Sequence, residues 1–436
     1  MHDVLDVRDI LLGEFAERRE SGYEVGEFHK RVEDALERGC SDEEHWRLLT
    51  LLEEVPRRPH WLYEEPSDLR GIATSLPQVS PMPTPSLDEE ELRDRIRAAW
   101  LGRCAGCNLG KPVEGWNREE IRGYLEAAGE YPLEDYFPRL EPMPDGFEMH
   151  PSWTETVRGN VRSMTRDDDI AYTILCLHIL ETYRIDFGPE DVADTWMARM
   201  PFLMTYTAER AAYRNLVYGP RDRHPPQPVQ GVDRGPDPGR RVGLRLVRRS
   251  RTRGWTGLQG CQHLSHRERG IYGKMWASAL IAACFAARDM RTALEAALAR
   301  VPSRPLLAEA LRHVISLWNH GLGCEAARDE LEESYGHYGW VHTINNAAVV
   351  AAALLWGEGN YARTVGLAIQ GGGKPTATAR RPALPSAPCT APMRWSSTSS
   401  GRWRTGCKAQ SSGSTVPGSP ISPNGHSGKR SSVTEE

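Results

Sequence analysis

A chain of 436 residues with a net charge of −5 and 39% hydrophobic residues is long enough for about two or three domains. Its longest apolar stretch, Trp276–Ala287, is shorter than the about 20 residues that span a bilayer. Nine cysteines at irregular spacing and an acidic start unlike a signal peptide predict reduced thiols, a cytoplasmic protein and no membrane partner.

Residues 1–85 are predicted to form a helical N-terminal extension. Three segments in it carry apolar residues at helical spacing: Val7–Arg18, Tyr23–Glu37 and Ser41–Glu54. Ser41 is a typical N-cap for the third of them. A proline-rich link, Pro77–Pro85, then separates this extension from the rest of the chain.

Helical periodicity dominates the main domain, residues 86–373. Ser86 and Glu89 have the spacing of a capping box, which predicts the start of the helix that carries Trp100. The same spacing of apolar residues predicts further helices at Asp169–Tyr183, Pro189–Met200, Gly273–Arg288, Thr292–Val301, Ala308–Asn319, Cys324–Tyr335, Ile344–Trp356 and Tyr361–Gln370. Alternating strand patterns are scarce, so the fold is predicted to be all-α.

Three consecutive aspartates, Asp167, Asp168 and Asp169, open a strongly apolar helix. One acid satisfies the exposed amides of a first helical turn, whereas three adjacent carboxylates repel one another. In the sequence, only Arg166 stands nearby as a counter-charge. A hard cation such as magnesium takes oxygen ligands and would neutralise the cluster. The alternative is an N-cap followed by two solvated acids, and spacing alone does not decide between them.

Four motifs in chain order resemble the ADP-ribosylglycohydrolase family over about residues 93–372. These motifs are Leu101–Trp116, Arg158–Asp169, Leu264–Gly273 and Val341–Asn346. The resemblance implies an all-α orthogonal helical domain that holds two magnesium ions. It also implies cleavage of the bond between ADP-ribose and a modified protein or small-molecule acceptor.

The resemblance assigns metal-binding and catalytic roles residue by residue. Asp168 and Asp169 match the family's acidic metal pair, and Asp167 stands where the family has a hydroxyl ligand. Glu114 matches an acidic residue close to the scissile ribose. Glu114 and Asp168 are therefore the expected catalytic residues, since a carboxylate in this position serves as the general base.

The resemblance also implies which residues contact substrate. Gly110 and Lys111 belong to the glycine-rich turn, while His266 and Tyr272 match a segment that lines the nucleotide pocket. Without the resemblance, His266 would be interpreted as an ordinary surface or core histidine. Cys107 replaces the family's usual aspartate in the turn, and it is better interpreted as a small core residue than as half of a zinc or redox site.

The family's second metal motif, two glycines followed shortly by an aspartate, is missing after Gly372. Read from the third base of each codon, the chain from Gly373 onward can encode Glu-Thr-Asp-Cys-Asn-Gly-Ala-Thr-Ala-Gly, which restores the motif. Residues 219–262 are rich in Pro, Arg and Gly, and Pro226–Gly239 permits an amphipathic sequence when read from the second base. Both stretches are therefore predicted to be out of frame, through sequencing error or gene decay.

These features predict a magnesium-dependent hydrolase that removes ADP-ribose from a modified acceptor, with activity impaired by the lost ligand set. Two alternatives stay open: a non-catalytic family member that binds ADP-ribose or nucleotide, and a product that does not fold. The basic stretch 219–262 and the low-complexity tail 374–436 carry few aromatic residues and no helical register for their charges. Nucleic acid is therefore not expected as a partner.

Overall fold

Helices build the fold of this protein, described here by a computed structural model. Its described residues are 7–78, 85, 87–185, 187–205, 212–213, 216–217, 268–339 and 342–372. These residues contain no β-strand, only isolated bridge residues such as the pair Tyr23 and Arg57, so the all-α prediction is confirmed. The stretch 219–262, the tail 374–436 and His266 lie outside the described residues.

The described helices follow one another in chain order. They are α1 (Val7–Glu20), α2 (Gly26–Arg38), α3 (Asp42–Glu53), α4 (Leu69–Ser75), α5 (Glu89–Gly110), α6 (Arg118–Ala127), α7 (Trp153–Thr156), α8 (Asp168–Tyr183), α9 (Pro189–Arg199), α10 (Glu268–Cys284), α11 (Met290–Leu298), α12 (Leu306–Asn319), α13 (Cys324–Tyr335), α14 (Thr343–Trp356) and α15 (Tyr361–Ile369). Short 3-10 helices stand at Lys111–Val113 and Phe202–Met204. None of the described helices combines the length and the apolar character that a membrane span needs.

The start of α5 differs from the predicted one. Asp88, not Ser86, caps the helix: its carboxylate accepts from the Glu91 amide at 2.8 Å, and the Glu91 carboxylate accepts from the Asp88 amide at 3.3 Å. The predicted capping box was wrong by two residues, because the run of acids offers the same spacing twice. The predicted N-cap at Ser41 is confirmed by its bond to the Glu44 amide.

The core of the main domain centres on α14, which packs against α10, α11, α12, α13 and α15. All residues of this helix except Asn345 and Val349 are buried. A helix that is apolar around its whole circumference belongs inside a domain, as the Ala/Val-rich sequence predicts. Each large apolar side chain buried in this way stabilises the fold by about 1.5–3 kcal/mol.

The N-terminal extension has its own small core and also contributes to the main one. Helices α1 to α3 bury Leu11, Val32 and Leu52 together. Ile72 of α4 is fully buried in the main core, although it precedes the proline-rich link. Glu65 accepts a hydrogen bond from the Leu306 amide at 3.2 Å, which places a carboxylate at the N-terminus of α12, where the helix dipole favours it. The extension therefore contacts the main domain through both apolar and polar groups.

Candidate active site

The acidic cluster lies at the N-terminus of α8, as its sequence position predicts. Asp167 is the N-cap, and its carboxylate accepts from the Asp169 amide at 3.0 Å. Asp168 and Asp169 form the first turn and are half-buried. Each of the three aspartates offers one carboxylate oxygen, and these oxygens all lie within 4.8 Å of one another. The three carboxylates are close enough together to share one metal ion.

Lys111 supplies a counter-charge that the sequence analysis did not foresee. Its Nζ lies 2.9 Å from Oδ2 of Asp167, with the two side chains only 12% and 3% exposed. The expectation that Arg166 is the only nearby counter-charge is wrong, because Arg166 is exposed and the fold brings Lys111 from the end of α5. Asp168 and Asp169 therefore lie next to the ion pair that Asp167 forms with Lys111.

The pKa of Lys111 reflects the carboxylates that surround it. Burial lowers the pKa of Lys111, but the charges of Asp167, Glu114 and Asp168 outweigh burial and raise the pKa above its ordinary value. The ammonium group therefore stays protonated at neutral pH. The two predicted catalytic residues, Glu114 and Asp168, both lie within electrostatic reach of Lys111.

A buried side chain of α5 fixes the loop that leads to the acids. Asn108 donates from Nδ2 to the Ser163 carbonyl at 3.0 Å, and its Oδ1 accepts from the Thr165 amide at 3.1 Å. The side-chain amide of Asn108 thus both donates to and accepts from the backbone of residues 163–165. Asn108 therefore holds the chain just before Asp167 in one position.

Two further residues of α5 hold the start of α8. Arg103 donates from Nη2 to the Asp169 carbonyl at 2.8 Å. Cys107 is fully buried and packs with Met164 and Ile170, on either side of the acid cluster in sequence. This placement agrees with the interpretation of Cys107 as a core residue. At the position where the family usually has an aspartate, this chain therefore has a thiol that packs against apolar side chains.

Glu114 ends the short 3-10 helix that begins at Lys111, and it is half-buried. Next to it the structure adds a residue that the sequence analysis missed, His150, whose amide donates to the Pro112 carbonyl at 2.8 Å. Burial lowers the pKa of His150, and Lys111 lowers it further, whereas Glu114 and Asp167 act in the opposite direction. The imidazole is therefore neutral at pH 7. No motif marks His150, because it lies in irregular chain between α6 and α7.

The remaining predicted substrate residues lie in different surroundings. Gly110 is buried at the last position of α5, directly before Lys111. Tyr272 is fully buried in the main core, and its hydroxyl donates to the Pro66 carbonyl at 2.5 Å. His266 lies outside the described residues. Contact of these residues with substrate stays a prediction.

A second group of possible metal ligands, also missed from the sequence, joins the extension to the main domain. His342 Nε2 lies 3.9 Å from Glu17 Oε2 and 3.8 Å from Glu20 Oε2. The other ring nitrogen, Nδ1, accepts from the Ile344 amide at 3.2 Å. A metal-bound imidazole normally donates from its second nitrogen, so this group fits a histidine–carboxylate contact better than a metal site.

The fold and the site together define a helical domain with a carboxylate set suited to a metal ion. The model of the family described as ADP-ribosylglycohydrolase matches residues 88–380, and the chain belongs to that family. A solved structure, "ADP-ribosylglycohydrolase-related protein complex", is similar over 68% of this chain and 88% of that one, with 16% identity and a TM-score of 0.37. No curated protein matches the chain.

Proposed function

We propose that this protein is a magnesium-dependent hydrolase that releases ADP-ribose from a modified protein or small molecule. The observation that carries the proposal is the aspartate cluster at the N-terminus of α8, fixed by Lys111 and close to Glu114. Membership of a family of glycosyl hydrolases supports the same reaction class.

The donor set fits a hard cation. Carboxylate oxygens are the ligands that magnesium prefers, and Asp168 and Asp169 lie half-buried at the mouth of α8. Asp167 already accepts from Lys111 and from the Asp169 amide, so it would complete the set while its position stays fixed. When bound, magnesium would hold the ribose hydroxyls and orient the attacking water.

Each charged side chain of this site would have a different role in the reaction. Glu114 would act as the general base and take a proton from the water as its oxygen forms a bond to the ribose carbon. The bond from that carbon to the acceptor breaks as the water approaches, and the positive charge that develops on the ribose ring is stabilised by the carboxylates of Asp168 and Asp169. The acceptor would leave with the electron pair of the broken bond and take the proton that Glu114 received from the water. Lys111 would keep the buried Asp167 charge compensated throughout.

The proposed activity of the chain as written is low. The second ligand set of the family would follow Gly372, where the sequence departs from the motif. Orientation of the reacting groups provides much of the rate, so half of a metal site supports little catalysis. The same observation favours the second candidate, a family member that binds ADP-ribose without cleaving it. The extensive buried clusters around α14 support a folded product over one that does not fold.

Magnesium binding at this site can be tested by replacing one carboxylate. The thermal midpoint of the unaltered chain should rise with magnesium chloride, because a ligand that binds only the folded state stabilises it. Asp168→Asn should lose most of that rise, whereas Asp145→Asn, on an exposed loop, should keep it. An Asp168→Asn chain with the full rise would contradict the assigned metal site. Release of ADP-ribose, measured on the same samples, separates the hydrolase from the binding protein.

A further inference from the structure

A second polar site lies away from the aspartate cluster, in a cavity between α13, α14 and the ends of α6 and α15. The cavity has a volume of about 30 Å³ and is lined by apolar groups that include Val349 and Ala352. Its basic lining residues are Arg118 and Arg328. On a scale where one water needs about 10–15 Å³, this space holds a group the size of about two waters.

Arg328 is buried in the wall of this cavity and has an unsatisfied donor. The side chain is 7% exposed, and Nη2 has no hydrogen-bond partner among the described residues. Nη1 lies 3.6 Å from Glu325 Oε1, which is longer than a hydrogen bond. Nη2 lies next to Gly371, another lining residue, where an added Cβ would come within 3.4 Å of it.

Two nearby carboxylates, those of Glu325 and Asp329, are engaged by the other arginine. Arg118 bonds from Nη2 to Glu325 at 2.9 Å and from Nη1 to Asp329 at 2.6 Å. Burial lowers the pKa of Arg328, and the charge of Arg118 lowers it further. A guanidinium nevertheless keeps its proton, so Arg328 remains a buried cation with one long contact to a shared carboxylate.

A buried charge without a close partner is costly, and an anion beside Nη2 would remove that cost. Water could accept a hydrogen bond there, but it would leave the charge uncompensated. We propose that this cavity encloses a small monovalent anion, chloride or a carboxylate as small as formate, against Nη2 of Arg328. Glu332 at the rim is exposed, so solvent screens its repulsion. The volume excludes a phosphate-bearing nucleotide.

The position of the cavity gives such an anion a structural consequence. Gly372 follows α15 with a φ of +70°, and a Cβ there would lie 2.5 Å from the Arg118 amide nitrogen. The end of α15 and the start of α6 therefore meet closely, with the cavity beside them. A bound anion would connect α13 to both ends and stabilise the segment that leads into residue 373.

Thermal unfolding of the full chain tests the proposal. At constant ionic strength, replacing sodium gluconate, whose anion is too large for the cavity, by sodium chloride should raise the midpoint saturably by about 1–3 °C. A formate arm reports whether a carboxylate can take the same place. Arg328→Gln should abolish the chloride response, and Arg122→Gln, on the exposed side of α6, should retain it. Equal midpoints in chloride and gluconate would overturn the proposal.

A second measurement does not depend on the stability of a variant. Crystals of the unaltered chain grown in sodium bromide should show an anomalous peak in the cavity, within about 3.5 Å of Arg328 Nη2. An ordered water at that position, with no anomalous signal, would overturn the proposal even if Arg328→Gln fails to fold.

Discussion

At the scale of single residues, the pair formed by Lys111 and Asp167 determines the charge of the candidate site. Both side chains are nearly buried, so the ammonium compensates a carboxylate that water reaches poorly. The other acids of the site, Asp168, Asp169 and Glu114, are half-buried. The pair therefore fixes the position of Asp167, which would complete the ligand set formed with Asp168 and Asp169.

Removing the ammonium group of Lys111 should destabilise the fold. Lys111→Met leaves the Asp167 charge buried without its partner, so the free energy of unfolding should fall by about 3–5 kcal/mol. Magnesium should recover part of this loss, because a cation can replace the ammonium. Chemical denaturation with and without magnesium chloride measures both effects.

The matched control is Lys30→Met on the exposed face of α2, which should change the free energy by less than about 0.5 kcal/mol. The double variant Lys111→Met with Asp167→Asn should be more stable than Lys111→Met alone, since the uncompensated charge is gone. If Lys111→Met were as stable as the unaltered chain, the ammonium could not be the compensating charge.

A surface ion pair should make a small contribution that depends on pH. Arg158 donates to both carboxylate oxygens of Glu130, at 2.6 and 3.0 Å, and these bonds lower the pKa of Glu130 below its ordinary 4.5. A lowered carboxylate pKa stabilises the fold above the ordinary pKa, and this stabilisation is lost as pH falls through the folded value. Glu130→Gln should therefore cost about 0.2–1 kcal/mol at pH 7.

The difference between Glu130→Gln and the unaltered chain should shrink as the pH is lowered below 4.5, in a series of urea-unfolding curves. Glu119→Gln, an exposed acid of α6, serves as the control and should show no such trend. A difference that grows on acidification would mean that Glu130 is stabilised in its protonated form instead.

At the scale of helices, the candidate site is built where the end of α5 meets the start of α8. Asn108 holds the backbone at Ser163 and Thr165, and Arg103 bonds to the carbonyl of Asp169. These contacts determine where the three carboxylates lie before any ligand binds. Preorganisation of ligands by surrounding hydrogen bonds is a common requirement of metal sites.

Asn108→Ala should therefore weaken both the fold and metal binding. The Ser163 carbonyl and the Thr165 amide would each lose a partner, at a cost of about 1–3 kcal/mol in the free energy of unfolding. The rise of the thermal midpoint with magnesium should also be smaller, because the loop before Asp167 is held less firmly. Asn160→Ala, an exposed residue of the same connection, is the control and should leave both quantities unchanged.

Helix periodicity predicted most of the helices of the main domain, because a buried stripe or a wholly apolar helix is visible in local sequence. Helix α6 was missed even though Asn117 and Glu120 form a capping box that the structure contains. The contact between Lys111 and Asp167 could not be predicted, because it joins residues far apart in the chain. The place of His150 beside Glu114 and the contact of His342 with α1 could not be predicted either, because each also joins residues far apart in the chain.

At the scale of the whole molecule, the described residues provide a helical core and one acidic cluster, and the family match covers residues 88–380. The proposed second ligand set lies beyond Gly372, where codons that the sequence permits can encode the family motif in a shifted frame. A helical core contributes stability regardless of catalysis, whereas a metal-dependent reaction needs the full ligand set. The chain as written is therefore predicted to fold but to have low catalytic activity.

The most direct measurement is the release of ADP-ribose from an ADP-ribosylated protein, with and without magnesium. It compares the chain as written with a version whose two displaced segments are restored to frame. The repaired chain should release ADP-ribose only with magnesium, and the chain as written should be slower by at least about 100-fold, the scale of a lost orienting contact. Equal rates for the two chains would contradict the assigned second ligand set, and an inactive repaired chain would contradict the proposed function.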